Sequence, residues 1–307
     1  MSLLKQPVVL LDAPSNLGLR PPAPGREPGT NRAPEALRAA GLLARLNARD
    51  GGRVLAPPYQ PDIDPITGIR NASAIHAYSL ALSEVVGIFI DEGSFPLVIG
   101  GDCSILLGNL LALRLRGDYG LIFIDGHTDF QTPQTSASGG AAGMDLALAC
   151  GRGPDLLTNL GGHKPLVKDQ NVIALGFRDM EDPADYYAPD IFQSQVALYS
   201  LDRLREMGIE AAVTEVVSRL QTNSVKGFWI HVDVDVLNSD LMPAVDSPMP
   251  GGLTGDELSR LLRTLLSTGL AVGLEVTIFD PDLDPDGSLA KKLVEILASG
   301  LSRESTL

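Results

Sequence analysis

Cysteine is scarce in this 307-residue chain, which has only Cys103 and Cys150. Two thiols cannot form the bridge framework of a small secreted domain, so a reduced, cytoplasmic setting is expected. Long apolar runs are missing as well. Each hydrophobic stretch is short and broken by Gly, Pro or a charge, and no transmembrane span is expected. The start, MSLLKQPVVLLD, carries one Lys and runs straight into a strand pattern. It lacks the basic segment, long apolar segment and cleavage site of a secretion signal. Basic residues are the minority: 24 Lys and Arg stand against 38 Asp and Glu, a formal charge of −14. Such a surface repels phosphate backbones, and no basic stripe is present, so neither a nucleic acid nor a membrane is an expected partner. The acid excess reads mostly as a solvated surface. A second reading is that several Asp residues are metal ligands, whose charge the metal would neutralise.

The remaining composition, 44% hydrophobic and 20% charged, is enough for a sizeable core. Strand-like runs at 7–12, 53–56, 95–100, 120–125, 171–176, 196–200, 227–235 and 271–279 alternate with helix-like segments. The helical segments are 33–49, 71–92, 104–115, 143–151, 201–207, 210–221, 254–268 and 286–301. Most strands are nearly continuous apolar runs, as when both faces of a parallel sheet are covered. The clearest helix is LTGDELSRLLRTLLSTG, with Thr254 as cap, Glu257 three residues later and Gly269 at its end. The alternation persists to the end of the chain. Residues 1–307 are therefore expected to form a single α/β domain with a mostly parallel, doubly wound sheet of about eight strands. Stretches 13–34 and 56–70 read as surface loops. The segment 126–143, GHTDFQTPQTSASGGAAG, is a long loop directly after a strand, a common place for function in such folds.

Chemistry collects where the central strands end. Asp102 and Cys103 follow 95–100. Asp125, His127 and Asp129 close 120–125, Asp233 and Asp235 close 227–235, and Asp280 and Asp282 follow 271–279. Parallel strands bring these ends to one edge of the sheet, where open α/β folds bind ligands. In DGHTD and HVDVDV the polar residues alternate, so extended backbone would aim each set one way. Carboxylates gathered so closely repel and stay partly protonated unless cations balance them. Carboxylate and imidazole suit Mn²⁺, and two carboxylate pairs suit two ions. Each piece has a plainer reading. A strand-end Asp is often a cap or turn residue, and an isolated D-x-D is a weak signal. The combination with DxHxD and a thiol, each ending its own strand, favours a metal site.

These residues resemble the arginase–agmatinase–formimidoylglutamase group, the ureohydrolases. GGDCS resembles the family's GGDHS, and DGHTD its DAHxD. HVDVDVLNSDLMPAV followed by PGGLT resembles its S-x-D-x-D-x-x-D-P…P-A…GGLT segment. NRAPEALRAAGL resembles its entry segment, so the likeness covers essentially the whole chain. The resemblance implies a three-layer α/β/α domain and two Mn(II) ions. It implies a hydroxide bridging them that attacks the carbon of a small guanidino or formimino compound and breaks a C–N bond. Implied ligands are Cys103, in place of the usual His, with Asp125, His127, Asp129, Asp233 and Asp235. Asp129 would also accept a hydrogen bond from the hydroxide, a catalytic role. Ser138, Gln131 and Glu181 would contact substrate. A thiolate ligand at Cys103 favours Zn²⁺ or Fe²⁺ relative to the usual set, whereas the plainer reading makes Cys103 a small buried residue. Membership also implies a homo-oligomer, a trimer or hexamer.

The chain departs from the family pattern at several positions. Ala142 stands where many members have a proton-shuttling His, and Gly140 where arginases have an Asn that binds the substrate carboxylate. Ala184 replaces an acid, with Asp185 one residue off. Ile278 aligns with the acid that pairs with a guanidinium. Glu275 lies three residues earlier, and Asp280 or Asp282 could supply a substitute or be turn residues. His231 shares a face with Asp233 and Asp235 and reads more as a structural histidine than as a site residue. His163 lies in a loop, His76 on a helix, and Cys150 on an apolar helix face. Two other readings remain open: a non-catalytic relative that binds or assembles, and a single-metal amidohydrolase related to the deacetylases.

Overall fold

The computed structural model describes residues 4–179 and 189–302. Among these residues eight strands form one sheet: β1 (Val8–Ala13), β2 (Arg49–Arg53), β3 (Phe95–Gly100), β4 (Gly120–Ile124), β5 (Val172–Leu175), β6 (Ala197–Tyr199), β7 (Phe228–Asp233) and β8 (Ala271–Thr277). Their order is β2-β1-β3-β8-β7-β4-β5-β6, and every pairing is parallel. The expected "mostly parallel" sheet is thus wholly parallel. The chain lays β1–β3 at one side and β4–β6 at the other. It then returns to fill the middle with β7 and β8, which places four strand ends carrying acids side by side.

Among the described residues ten helices cover the sheet: α1 (Ala33–Ala39), α2 (Leu42–Leu46), α3 (Ala72–Asp91), α4 (Leu106–Arg114), α5 (Asp145–Ala149), α6 (Asp155–Thr158), α7 (Leu201–Met207), α8 (Ile209–Thr222), α9 (Gly255–Ser267) and α10 (Ser288–Leu301). Alternate residues of each central strand enter opposite cores. Leu121 and Phe123 of β4 pack with residues of α3, α4 and α5, whereas Ile122 and Ile124 pack with α8, α9 and α10. That is a three-layer α/β/α arrangement, and it explains the unbroken apolar strand sequences. The Thr254 hydroxyl accepts from the Glu257 amide at 3.1 Å while the Glu257 carboxylate accepts from the Thr254 amide at 2.8 Å, the expected capping box of α9.

Helix α6 is absent from the sequence reading, β7 and β8 end two residues sooner than expected from it, and two other boundaries differ most. The segment 33–49 is broken into α1 and α2 at Gly41, where φ is +95°. Strand β2 then occupies Arg49–Arg53, just before the expected 53–56. It is an edge strand of sequence RDGGR, exposed along most of its length, so it lacks the apolar signature. Helix α3 is long and apolar enough by composition to cross a bilayer. Its Ile75, Tyr78, Leu82, Val86 and Phe89 are buried in the core at helical spacing, the pattern of a packed helix.

Candidate metal centre

The thiol reaches the sheet edge through a tight glycine turn after β3. A Cβ on Gly101 would lie 1.6 Å from the Ser15 carbonyl oxygen, so only glycine fits. Asp102 turns away from the thiol. Its carboxylate accepts from the Ser15 hydroxyl at 2.5 Å and the Ser104 amide at 2.9 Å, which caps the turn. Cys103 is buried, and its Sγ donates to Asp233 Oδ2 at 2.8 Å and lies 3.3 Å from Thr277 Oγ1. The thiol therefore faces the acid of β7, two strands away, rather than its sequence neighbour.

The two alternating motifs do not work as extended strands. Asp125 Oδ1 accepts from the His127 amide at 2.7 Å, and Asp233 Oδ1 accepts from the Asp235 amide at 2.7 Å. Both are turns in which the first Asp holds the backbone of the residue two further on. Gathering is achieved all the same. His127 Nδ1 lies 2.9 Å from Asp235 Oδ2 and 3.7 Å from Asp125 Oδ1. Asp129 follows with φ at +42°, a left-handed conformation that turns the chain at the cavity wall.

Charge is poorly balanced among these groups. Burial, then Asp235, pushes Asp125 up to about 6. Burial and neighbouring carboxylates likewise raise Asp129, Asp145 and Asp233 well above the carboxylate range. Burial and Asp233 push the Cys103 thiol up. Burial opposes the charge on His127, but Asp235 and Asp125 outweigh it and hold the imidazole protonated. Burial also opposes ionisation of Asp235, and His127 outweighs it, so this carboxyl lies below its usual value. His127 thus faces two of these acids, Asp235 and Asp125. Two buried atoms, Asp125 Oδ2 and His231 Nε2, have no hydrogen-bond partner and face each other at 4.0 Å. Donor atoms of Asp125, His127 and Asp235 lie within 4.8 Å of one another, and so do those of Cys103, His231 and Asp233. Two close sets of oxygen, nitrogen and sulfur donors with excess negative charge fit divalent metal ions.

A cavity of about 270 Å³ opens over these residues. Cys103, His127, Asp129, Asp233 and Asp235 line it, as do the expected substrate contacts Gln131 and Ser138. Asp125 lies beneath it, fully buried. Glu181, Ala184 and Asp185 lie outside the described residues. Ala142 and Ile278 are on the wall, where the family pattern would place a His and an acid. Ile278 has φ at +72°, uncommon for a β-branched residue, and its amide donates to the Gly101 carbonyl at 2.7 Å. A Cβ on Gly140 would lie 2.7 Å from the Gly18 carbonyl oxygen, so this position excludes the carboxylate-binding Asn.

The suggested substitutes for the acid at Ile278 are engaged elsewhere. Asp280 accepts from the Gly29 amide at 3.1 Å, and Asp282 pairs with Arg32 and Arg26. Both are structural ties to the N-terminal loop, and neither lines the cavity. Glu275 is fully buried against Asn109 and His231. His76 Nδ1 contacts the Leu156 carbonyl at 2.7 Å, and His163 sits in a loop; neither lines the cavity. Cys150 is buried at the end of α5 among core residues, as expected.

Sequence reasoning missed several participants. Arg20, Asp246 and Ser247 line the cavity. Asp246 and Ser247 follow the carboxyl end of β7, so the rule that singled out Asp233 could have reached them. Asp145, fully buried with Oδ2 unpartnered, reads in sequence as an ordinary acid at a helix start. Asn109 is a buried polar residue in the otherwise apolar LLGNLLALR helix, and that contrast was a usable signal.

Eight parallel strands with acids, imidazoles and a thiol at their carboxyl edge define an open α/β protein with a site suited to divalent metals. Residues 7–301 match the Arginase family model, and the chain belongs to the arginase family. It is 30% identical over 282 residues to the arginase of Bacillus subtilis (strain 168), covering 90% of this chain and 93% of that one. The structure of the Bacillus caldovelox arginase superposes with a TM-score of 0.87 at 27% identity, over 98% of this chain and 100% of that one. The formimidoylglutamase of Bacillus subtilis subsp. subtilis str. 168 shares the fold, with a TM-score of 0.74 at 21% identity over 97% and 87% of the two chains.

Proposed function

We propose that this protein hydrolyses a C–N bond of a small guanidino or formimino compound at a binuclear Mn(II) centre. The observation that carries the reading is the convergence of Cys103, Asp125, His127, Asp129, Asp233 and Asp235, from three strand ends, under one cavity. Two ions bound there would supply Lewis acidity and a hydroxide at neutral pH. Two separate donor groups favour two ions over the single ion of a deacetylase-like site. The chain's own residues do the rest. Acids on the wall, including Asp246, attract and orient a cationic amidinium. Asp129 sits where it can accept the proton of the attacking water. From the same place on the cavity wall it can pass that proton to the leaving nitrogen, a task no imidazole at position 142 performs here.

Ser138 and Gln131 offer hydrogen bonds to the far end of the substrate. Because Gly140 leaves no room for an Asn and Ile278 offers no acid, free arginine is poorly matched, and formimino or other amidine substrates compete with it. The same two positions favour the alternative of a catalytically impaired binding or assembly protein. A reduced cytoplasmic setting, in which Cys103 stays a thiol, and a trimeric or hexameric assembly, testable by light scattering, belong to this proposal.

The test is release of urea, formamide or ammonia by Mn²⁺-loaded protein from a panel of guanidino and formimino compounds. Turnover should fall by more than about 10²-fold in Asp235→Ala, since even outer-shell changes at metal sites cost 10–100-fold. No turnover on any compound, with both sites filled, would leave the non-catalytic reading in place.

A further inference from the structure

We propose that His231 is itself a metal ligand, and that with Cys103 and Asp233 it forms a thiophilic site unlike the Asp125–His127–Asp235 site beside it. The proposal rests on the two-metal reading above and deepens it, with Zn²⁺ in place of one of the two Mn(II) ions. His231 is on β7, two residues before Asp233, and is fully buried. Its ring stacks on Phe123 of β4, with centroids 4.4 Å apart and planes 4° from parallel. On the other side, β8 register places Glu275 directly opposite, and Nδ1 lies 2.8 Å from Glu275 Oε1. Asn109 holds the second oxygen of Glu275. A carboxylate so fixed accepts the Nδ1 proton, and Nε2 is left with a free lone pair.

That lone pair has no hydrogen-bond partner among the described residues, and neither has Asp125 Oδ2, which it faces. The two atoms are 4.0 Å apart, too far for a hydrogen bond. Two donors on one ion, each about 2.1 Å from it, lie at most about 4.2 Å apart. The gap admits an ion once either side chain moves slightly inward, with Asp125 Oδ2 turned to that ion and Oδ1 to the His127 side, and burying both atoms without one is costly. An imidazole nitrogen of His231 also lies within 4.8 Å of Cys103 Sγ and an Asp233 oxygen. A carboxylate behind a histidine is the usual support of a metal-bound imidazole.

The donor chemistry of the two groups then differs. Sulfur, nitrogen and oxygen from Cys103, His231 and Asp233 favour Zn²⁺ over Mn²⁺. One nitrogen and carboxylate oxygens from Asp125, His127 and Asp235 suit Mn²⁺. Binding in the first site releases the thiol proton, now directed at Asp233, to solvent.

The test is X-ray absorption at the zinc edge on the full chain given one equivalent of Zn²⁺ and excess Mn²⁺. We expect one sulfur at about 2.3 Å and one imidazole nitrogen at about 2.0–2.1 Å. The imidazole signal should vanish in His231→Gln, with sulfur retained and Zn²⁺ affinity about 10-fold lower or worse. It should persist in His127→Gln, which decides the matter if His231→Gln fails to fold. Sulfur without imidazole, imidazole without sulfur, or a signal lost in His127→Gln overturns the assignment but leaves a metal centre standing. No bound metal of either kind overturns both.

Discussion

Asp102 and Cys103 are adjacent in sequence and opposite in role. Asp102 is fully buried and spends its carboxylate on Ser15 and the Ser104 amide, whereas the Cys103 thiol faces Asp233. Asp102→Asn should therefore weaken hydrogen bonds that hold the turn, at a cost of about 1–3 kcal/mol in stability, and leave the number of bound ions unchanged. Denaturant melts together with elemental analysis would check it; lost metal at unchanged stability would contradict the division. The sequence showed that a thiol stood at a strand end, but not which acid it faced. That depends on β3, β8 and β7 lying side by side, a fact of strand order. The same limit hid His231 and Glu275, which are 44 positions apart and meet only through register.

At the scale of elements, the strands legible in sequence were those buried on both faces, and their ends carried the candidate ligands. Strand β2 escaped because an edge strand needs no apolar residues, and the break between α1 and α2 hinges on one left-handed glycine. In DGHTD and HVDVDV turns, not the strand alternation expected from the sequence, bring the polar side chains together. The ends of β4 and β7 are also where pH acts. Asp125 titrates near 6 in the folded chain, and Asp129 and Asp233 are raised as well. A raised folded-state pKa gives stability that is complete below the unfolded value, about 4, and is lost as pH rises through the folded value. His127 acts with the same sign above about 6.5. Metal-free protein should thus lose stability as pH rises, while metal binding needs the ligands deprotonated. The gain in Tm on adding Mn²⁺ should be larger near about pH 7.5 than near about pH 5. A hundredfold excess over Kd is worth about 2.7 kcal/mol. Differential scanning calorimetry at both values checks it, and equal gains would contradict the charge balance described here.

For the whole molecule, the fold places the site by filling the middle of the sheet last, so that β3, β8, β7 and β4 present their ends together. One edge then collects the carboxyl groups of Asp125, Asp129, Asp233 and Asp235 around the thiol of Cys103 and the imidazole of His127. The central claim is that two divalent ions belong there. Anomalous diffraction on crystals soaked with Mn²⁺ and Zn²⁺ tests it most directly. Two peaks per chain, one against Cys103 and Asp233 and one against His127 and Asp235, are the predicted result. A cleft without either peak, under saturating metal, would contradict the account.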